Sequence, residues 1–213
     1  MQRSCEEFER ASHFRPDIEG LRAVAILLVA AAHAAVPRLA SGFIGVDVFF
    51  VLSGFLITGK LVQEATATGR IRLLPFYVRR LRRLLPALLL MLVAVGAASR
   101  WLLSPAALGE QFLTAQMAAL WLSNFHFAIG NLDYFAPGSE RNLYLHTWSL
   151  GVEEQFYLLW PALVLWLLAR DGERGLTRLK MGMDMVLVAS LLGCIALTRD
   201  APLLAFYMMP LRA

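Results

Sequence analysis

Apolar runs separated by short polar connections dominate this chain. They lie at about 18–36, 44–62, 84–103, 149–169 and 184–198. Each is close to the ~20 residues that a helix needs to cross a bilayer core, or somewhat shorter with flanking anchors. A weaker run at 106–130 is interrupted by Glu110, Gln111, Gln116, Asn124 and His126. The pattern predicts an all-α, polytopic helical membrane protein, with about five transmembrane helices plus one re-entrant or interfacial helix at 106–130. Backbone that does not cross fully survives at membrane depth only against protein or a wet cavity, which puts residues 104–147 over a polar vestibule.

Positive charge sets the expected orientation. Lys60, Arg70, Arg72, Arg79, Arg80, Arg82 and Arg83 crowd the second connection, whereas the first holds only Arg38. The N-terminus and the second connection are therefore expected on the cytoplasmic side, and Arg170, Arg174, Arg178 and Lys180 mark another inside loop. Four full crossings before that loop satisfy the rule. A fifth crossing at 106–130 would place those charges outside. The start of the chain also admits a cleaved-signal reading, from the apolar run Ala23–Ala32 and the small residues Ala32 and Ala34. The acidic pair Glu6 and Glu7, the long tail and the further spans favour a retained first helix.

Composition agrees with the pattern. The 213 residues are 58% hydrophobic and 17% charged, and the mean hydropathy is +0.59, outside the soluble globular range. A net charge of +4 and a pI near 9.4 would fit nucleic acid, but the basic residues sit beside apolar spans and not along a soluble face, so no nucleic-acid partner is expected. Cys5 and Cys194 give neither a disulfide framework nor a ligand spacing. His33, His126 and His146 are too widely spaced for a short metal-ligand pair, so no metal is expected.

Four places can carry chemistry. Arg22 and His33 are eleven residues apart, which on a helix leaves them about 20° out of phase and roughly 16 Å apart along the axis. On one face, Arg22 near the cytoplasmic boundary can hold phosphate, and His33 toward the outer end can exchange a proton. The plainer alternative is that Arg22 snorkels to headgroups and His33 makes an interhelical hydrogen bond. Asp47, about one turn inside the outer end of the second span, is expected close in depth to His33, where a carboxylate can orient an imidazole. A helix cap or a hydrated charge is the alternative. Gly45, Ser53, Gly54 and Gly59 read as close-packing positions.

Arg79, Arg80, Arg82 and Arg83 precede an apolar span on the side where soluble nucleotides are available. Guanidinium forks suit a diphosphate or 3′-phosphate, although basic residues at that end are also the ordinary topology signal. The stretch HTWSLGVEEQFYLLWP at 146–161 sets Glu153 and Glu154 at the mouth of a span, about 100° apart on a helix, so that only one easily faces a given site. His146 precedes the helix, Ser149 is a candidate for its cap, and Trp148, Phe156, Tyr157 and Trp160 read as boundary anchors and packing.

The segments FRPDIEGLRAVAILLVAAAH, GVDVFFVLSGFLIT, FYVRRLRRLLPAL and HTWSLGVEEQFYLLWP together closely resemble the membrane acyltransferase 3 family of bacterial O-acetylases of surface polysaccharide and peptidoglycan. The resemblance runs in order from about 14 to 169. AFYMMPLRA at the end looks like the approach to a further family helix. Family membrane domains have about ten spans, so residues 1–17 are expected to be a cytoplasmic tail and 18–213 the N-terminal half of an incomplete acyltransferase 3 membrane domain.

The resemblance implies transfer of an acyl group, usually acetyl, from cytoplasmic acyl-CoA to a hydroxyl of an envelope carbohydrate, by a multi-pass protein of the bacterial inner membrane. Acyl-CoA is then a donor substrate, and no tightly bound cofactor is expected. The family's arginine and histidine motif falls on Arg22 and His33. Its RxxR motif can be laid on Arg79 and Arg82 or on Arg80 and Arg83. Arg22 and the basic residues would hold the coenzyme's phosphates, His33 would act as general base or in an acyl relay, and Asp47 or Glu153 would orient it, with Glu154 as the neighbouring carboxylate. His146, Trp148 and Ser149 are the candidate acceptor-binding residues. Besides the lipid bilayer, a complete homologue or an extracytoplasmic transferase domain is an implied partner. A truncated remnant and a membrane transport component, using Arg22, His33, Asp47 and Glu153 as a proton or solute path, are the alternatives.

Overall fold

The computed structural model describes residues 15–168 and 172–211. The expectations for residues 1–14, with Cys5, Glu6 and Glu7, and for Arg170 lie outside them, as does the Arg174 side chain. Among the described residues the chain is helical, with no strand. The helices are α1 (Pro16–His33), α2 (Ile44–Thr68), α3 (Leu73–Leu102), α4 (Pro105–Ala119), α5 (Ser123–Ile129), α6 (Thr147–Leu168), α7 (Gly172–Asp200) and α8 (Pro202–Tyr207). Among the described residues, three stretches are long and apolar enough to cross a membrane, Ala40–Thr68, Leu73–Leu102 and Gly175–Asp200. α1 opens on Asp17, Glu19 and Arg22, and α6 carries Glu153, Glu154 and Gln155 near its start, so these two predicted spans are mixed in polarity. The protein is a polytopic helical membrane protein.

The chain divides into two compact units, up to Ile57 and from Thr58. In the first, a single 3₁₀ turn at Ala40–Phe43 lies back along α1. A Cβ at Gly42 or Gly45 would collide with the carbonyls of Leu28 and Ala25 respectively, so both positions require glycine for helix contact. Gly59, expected in the same role, faces open space.

In the second unit, Thr68 and Gly69 close the corner between α2 and α3. Glu64 accepts hydrogen bonds from the Arg72 backbone N–H (3.3 Å) and Nε (3.2 Å), satisfying the residue that precedes α3. α3 then runs for 30 residues, about 45 Å. It begins well before the apolar run at 84, because Pro75 suits a first turn and arginine and leucine are good helix formers. α3 and α6 pack antiparallel. The Tyr77 hydroxyl donates to the Leu158 carbonyl (2.8 Å) and the Tyr144 hydroxyl to the Leu92 carbonyl (3.4 Å). Pro161 inside α6 donates no backbone N–H, so the α6 ladder lacks the bond from position 161 to the Tyr157 carbonyl. Trp160 Nε1 donates to Thr58 Oγ1 at 2.7 Å.

The interrupted run at 106–130 forms two short helices, α4 and α5, where one was expected. α4, at 15 residues, spans about 22 Å and is too short to cross. Its polar residues bind the following connection. Gln111 donates to the Arg141 carbonyl (3.1 Å) and accepts from the Leu143 N–H (2.9 Å), and Asn142 donates to Thr114 Oγ1 (3.1 Å). Ser123 Oγ reaches the Thr147 carbonyl at 2.8 Å. Gln111, Thr114, Ser123 and Asn142 are buried with these partners, whereas Glu110 and Gln116 are exposed.

Candidate functional site

Arg80 is the residue on which the two glutamates of α6 converge. From α3 its Nε and Nη2 donate to Glu154 Oε1 of α6 at 3.1 and 2.7 Å. Nη2 also lies 3.6 Å from Glu153 Oε1. The guanidinium carbon stands 3.0 Å from the centre of the Tyr157 ring, a cation–π contact, and the Tyr157 hydroxyl donates to Glu153 Oε1 at 2.6 Å. The Glu154 side chain is 5% exposed and that of Arg80 18%. Successive carboxylates, expected to face different ways, thus share one guanidinium, because Arg80 is long and forked enough to touch both.

Helix rise fixes the depth of this cluster. Glu154 is fourteen residues, about 21 Å, from the Leu168 end of α6, and Arg80 is twenty-two residues, about 33 Å, from the Leu102 end of α3. Each lies seven residues, about 10 Å, past the start of its own helix, so the acidic pair meets Arg80 about two turns into α6 and two turns into α3. Charges held there are costly unless paired, and intramembrane ionisable residues are functional candidates for that reason.

The four arginines are divided by the helical turn. Arg80 faces α6, whereas Arg79, Arg82 and Arg83 are exposed and make no ion pair among the described residues. Spaced i, i+3 and i+4, those three share one face. Of the two RxxR registers, Arg79 with Arg82 leaves both forks open, and Arg80 with Arg83 does not.

In the first unit, Arg22 Nη1 lies 3.2 Å from Glu19 Oε1, one turn away. His33 is the last residue of α1, exposed, with Nδ1 2.8 Å from the Val29 carbonyl. A carbonyl oxygen only accepts, so Nδ1 carries a proton in this contact, and in that tautomer Nε2 is the nitrogen left with a lone pair. The carbonyl of Val29 thus orients the ring through Nδ1. Gly45 sits against Ala25 and Val29, so Asp47, two residues on, lies alongside the middle of α1 and not level with His33. The doubling back of residues 40–43 along α1 causes the offset.

The remaining candidates form the α6 start. His146 is exposed, and its carbonyl accepts from Ser149 Oγ at 3.2 Å. Ser149 lies in the first turn and does not cap the helix. Trp148 is 4% exposed, with its ring 4.6 Å from Phe206, 5.8 Å from Tyr207 and 5.9 Å from Tyr134. It is a core aromatic and not a boundary anchor. Burial pushes the Tyr134 hydroxyl above the usual phenol range, and burial, then Asp133 and Tyr134, raise that of Tyr207 further. Sequence reasoning missed Asn124 and Gln155 as partners. Their amides bond reciprocally at 2.8 and 3.2 Å, and the signal available was a pair of amides in otherwise apolar helices. Among the described residues no group of His, Cys, Asp and Glu is arranged to hold a metal ion.

A family model described as an acyltransferase domain matches residues 15–208. The chain belongs to the acyltransferase 3 family. It is 39% identical over 163 residues to the O-acetyltransferase OatA of Staphylococcus aureus strain NCTC 8325 / PS 47, and equally to that of strain COL. Each match covers 76% of this chain and 27% of the relative, so the chain spans about a quarter of the length of the curated relatives it matches. No solved structure matches the chain significantly.

Proposed function

We propose that this acyltransferase 3 chain takes part in moving an acyl group, usually acetyl, from cytoplasmic acyl-CoA to a hydroxyl of an envelope carbohydrate. In this reading it lies in the bacterial inner membrane with its N-terminus cytoplasmic. The observation that carries the proposal is the division of the arginines. One, Arg80, is held by the buried carboxylate of Glu154 and the half-buried one of Glu153, and three leave an open basic face suited to a coenzyme's phosphates.

Each residue then has a chemical task. Arg79, Arg82 and Arg83 bind phosphate, and Arg22 adds a further guanidinium. His33 Nε2 takes the proton of the acceptor hydroxyl as its oxygen attacks the thioester carbonyl. The tetrahedral intermediate collapses with the coenzyme thiolate as leaving group, and the imidazolium returns the proton to sulfur. General-base assistance of this kind contributes about 10²–10⁴-fold. Arg80 holds the carboxylates of Glu153 and Glu154 in place. His146 and Ser149, at the α6 start, are the polar groups assigned to the acceptor, with Trp148 as their packed support.

The test is transfer of radiolabelled acetyl from acetyl-CoA in membranes containing the protein. His33→Ala is expected to lose at least about 100-fold in rate. Arg79→Gln with Arg82→Gln is expected to raise the KM for acetyl-CoA more than it lowers kcat. Unchanged transfer by His33→Ala would remove the histidine from the chemistry. An absence of transfer and of thioester cleavage by the native chain, in the presence and absence of a full-length homologue, would end the proposal.

A further inference from the structure

The Arg80–Glu154 contact depends on how α6 is turned about its own axis. A carboxylate tip rides about 6 Å from that axis, so a 20° rotation sweeps it about 2 Å, enough to break a short ion pair. Arg80 is a long side chain and cannot by itself fix the rotation of a helix. The residue after Glu154 is Gln155, and it sits in an unusually complete set of bonds.

Gln155 Nε2 donates to Asn124 Oδ1 (2.8 Å) and to the Trp121 carbonyl (2.9 Å). Asn124 Nδ2 donates to Gln155 Oε1 (3.2 Å) and to the Tyr207 carbonyl (3.1 Å). Asn124 is fully buried. The pair is therefore a closed amide ring with one extra donor from each side, each reaching a backbone carbonyl of a different segment. One turn earlier, a Cβ at Gly151 would stand 2.9 Å from Asn124 Oδ1 and 3.0 Å from the Trp121 carbonyl, so α6 lies flush on the corner between α4 and α5.

That corner is itself held in a costly state. Trp121 has φ +57, the left-handed region that non-glycine residues rarely occupy. Its indole Nε1 is buried and has no hydrogen-bond partner among the described residues. Such strain persists where the surroundings over-determine it, and here the surroundings are the bonds from Gln155 and Asn124.

We propose that Gln155 and Asn124 are positioning residues for the Arg80–Glu154 site, locking the rotation of α6 against the Trp121 corner and the Tyr207 segment. This rests on the proposed function, in which Arg80 holds the carboxylates of Glu153 and Glu154 in place. Glu154 is aligned through its neighbour's amide and not by its own contacts alone. The carbonyl of Tyr207 is tied through Asn124 to the same lock, so displacement of the 202–207 segment is felt at Glu154.

A double-mutant cycle on the full chain in detergent tests this without any substrate. Arg80→Gln, Glu154→Gln and the double variant are unfolded in the native background and again in Gln155→Leu, which keeps bulk and removes every amide bond. In the native background the two changes are expected to be non-additive. In Gln155→Leu the non-additivity is expected to fall to about half or less. Should Gln155→Leu not yield monodisperse protein, Asn124→Ser supplies the second background with the same expectation. Equal non-additivity in both backgrounds would make the amide pair local packing only and overturn the inference. So would additivity in the native background. The cycle reads no transfer, so a chain that fails to move acetyl would sink the proposed reaction without changing this result.

Discussion

At the residue scale, one guanidinium holds two carboxylates that a helix would otherwise point apart. Arg80 does so by lying between Glu154, Glu153 and the Tyr157 ring. Removing one member of a buried pair leaves the other charge uncompensated, which costs about 3–5 kcal/mol. Arg80→Leu is therefore expected to lower unfolding free energy in detergent by that order. Glu154→Gln keeps an acceptor for the guanidinium and should cost less, and a larger loss from Glu154→Gln than from Arg80→Leu would contradict this account. Gly151→Ala drives a methyl into Asn124 and the Trp121 carbonyl and is expected to cost about 1–3 kcal/mol by overpacking. A neutral result there would mean that α6 and the corner can separate. The histidine differs in kind, because the bond to Val29 selects its tautomer without any charged partner.

At the element scale, the short helices and the connection after them form a bonded scaffold around the α6 start. Tyr207 of α8 is fully buried, and its hydroxyl donates to the Leu132 carbonyl at 3.1 Å. Its hydroxyl is held protonated above the ordinary value of 10.0, chiefly by burial. The folded state then keeps a proton that the unfolded chain gives up, so stability is complete below about pH 10 and declines as pH rises above it. Tyr207→Phe is expected to be weaker at neutral pH, through loss of the Leu132 bond, yet to show a shallower alkaline decline. A decline of unchanged slope would assign it to other groups, with Tyr134 and Tyr144 the next candidates. Of the polar residues that interrupt 106–130, Gln111 and Asn124 are buried against protein, whereas Glu110 and Gln116 are exposed.

At the scale of the whole molecule, the antiparallel pairing of α3 and α6 brings a basic and an acidic motif, separated by more than seventy residues, to one depth. If the corner at residues 69–72 is cytoplasmic and the connection at 130–146 is not, single cysteines at Arg70 and Gly138 will be labelled by an impermeant maleimide from opposite sides of sealed vesicles. Labelling from the same side would reverse the orientation drawn from the positive charges. The sequence alone determined the helical membrane class, the places of the apolar runs, the polar interruption of 106–130 and the family, because these follow from hydropathy, charge and local motif. It also named every charged member of the Arg80 cluster. Only the tertiary structure decided which arginine turns inward, that both glutamates meet it, that Trp148 is core, and that Asn124 and Gln155 lock together. Those outcomes depend on the rotation and relative register of helices far apart in the chain, and a one-dimensional pattern of apolar residues fixes which face is buried but not what it is buried against.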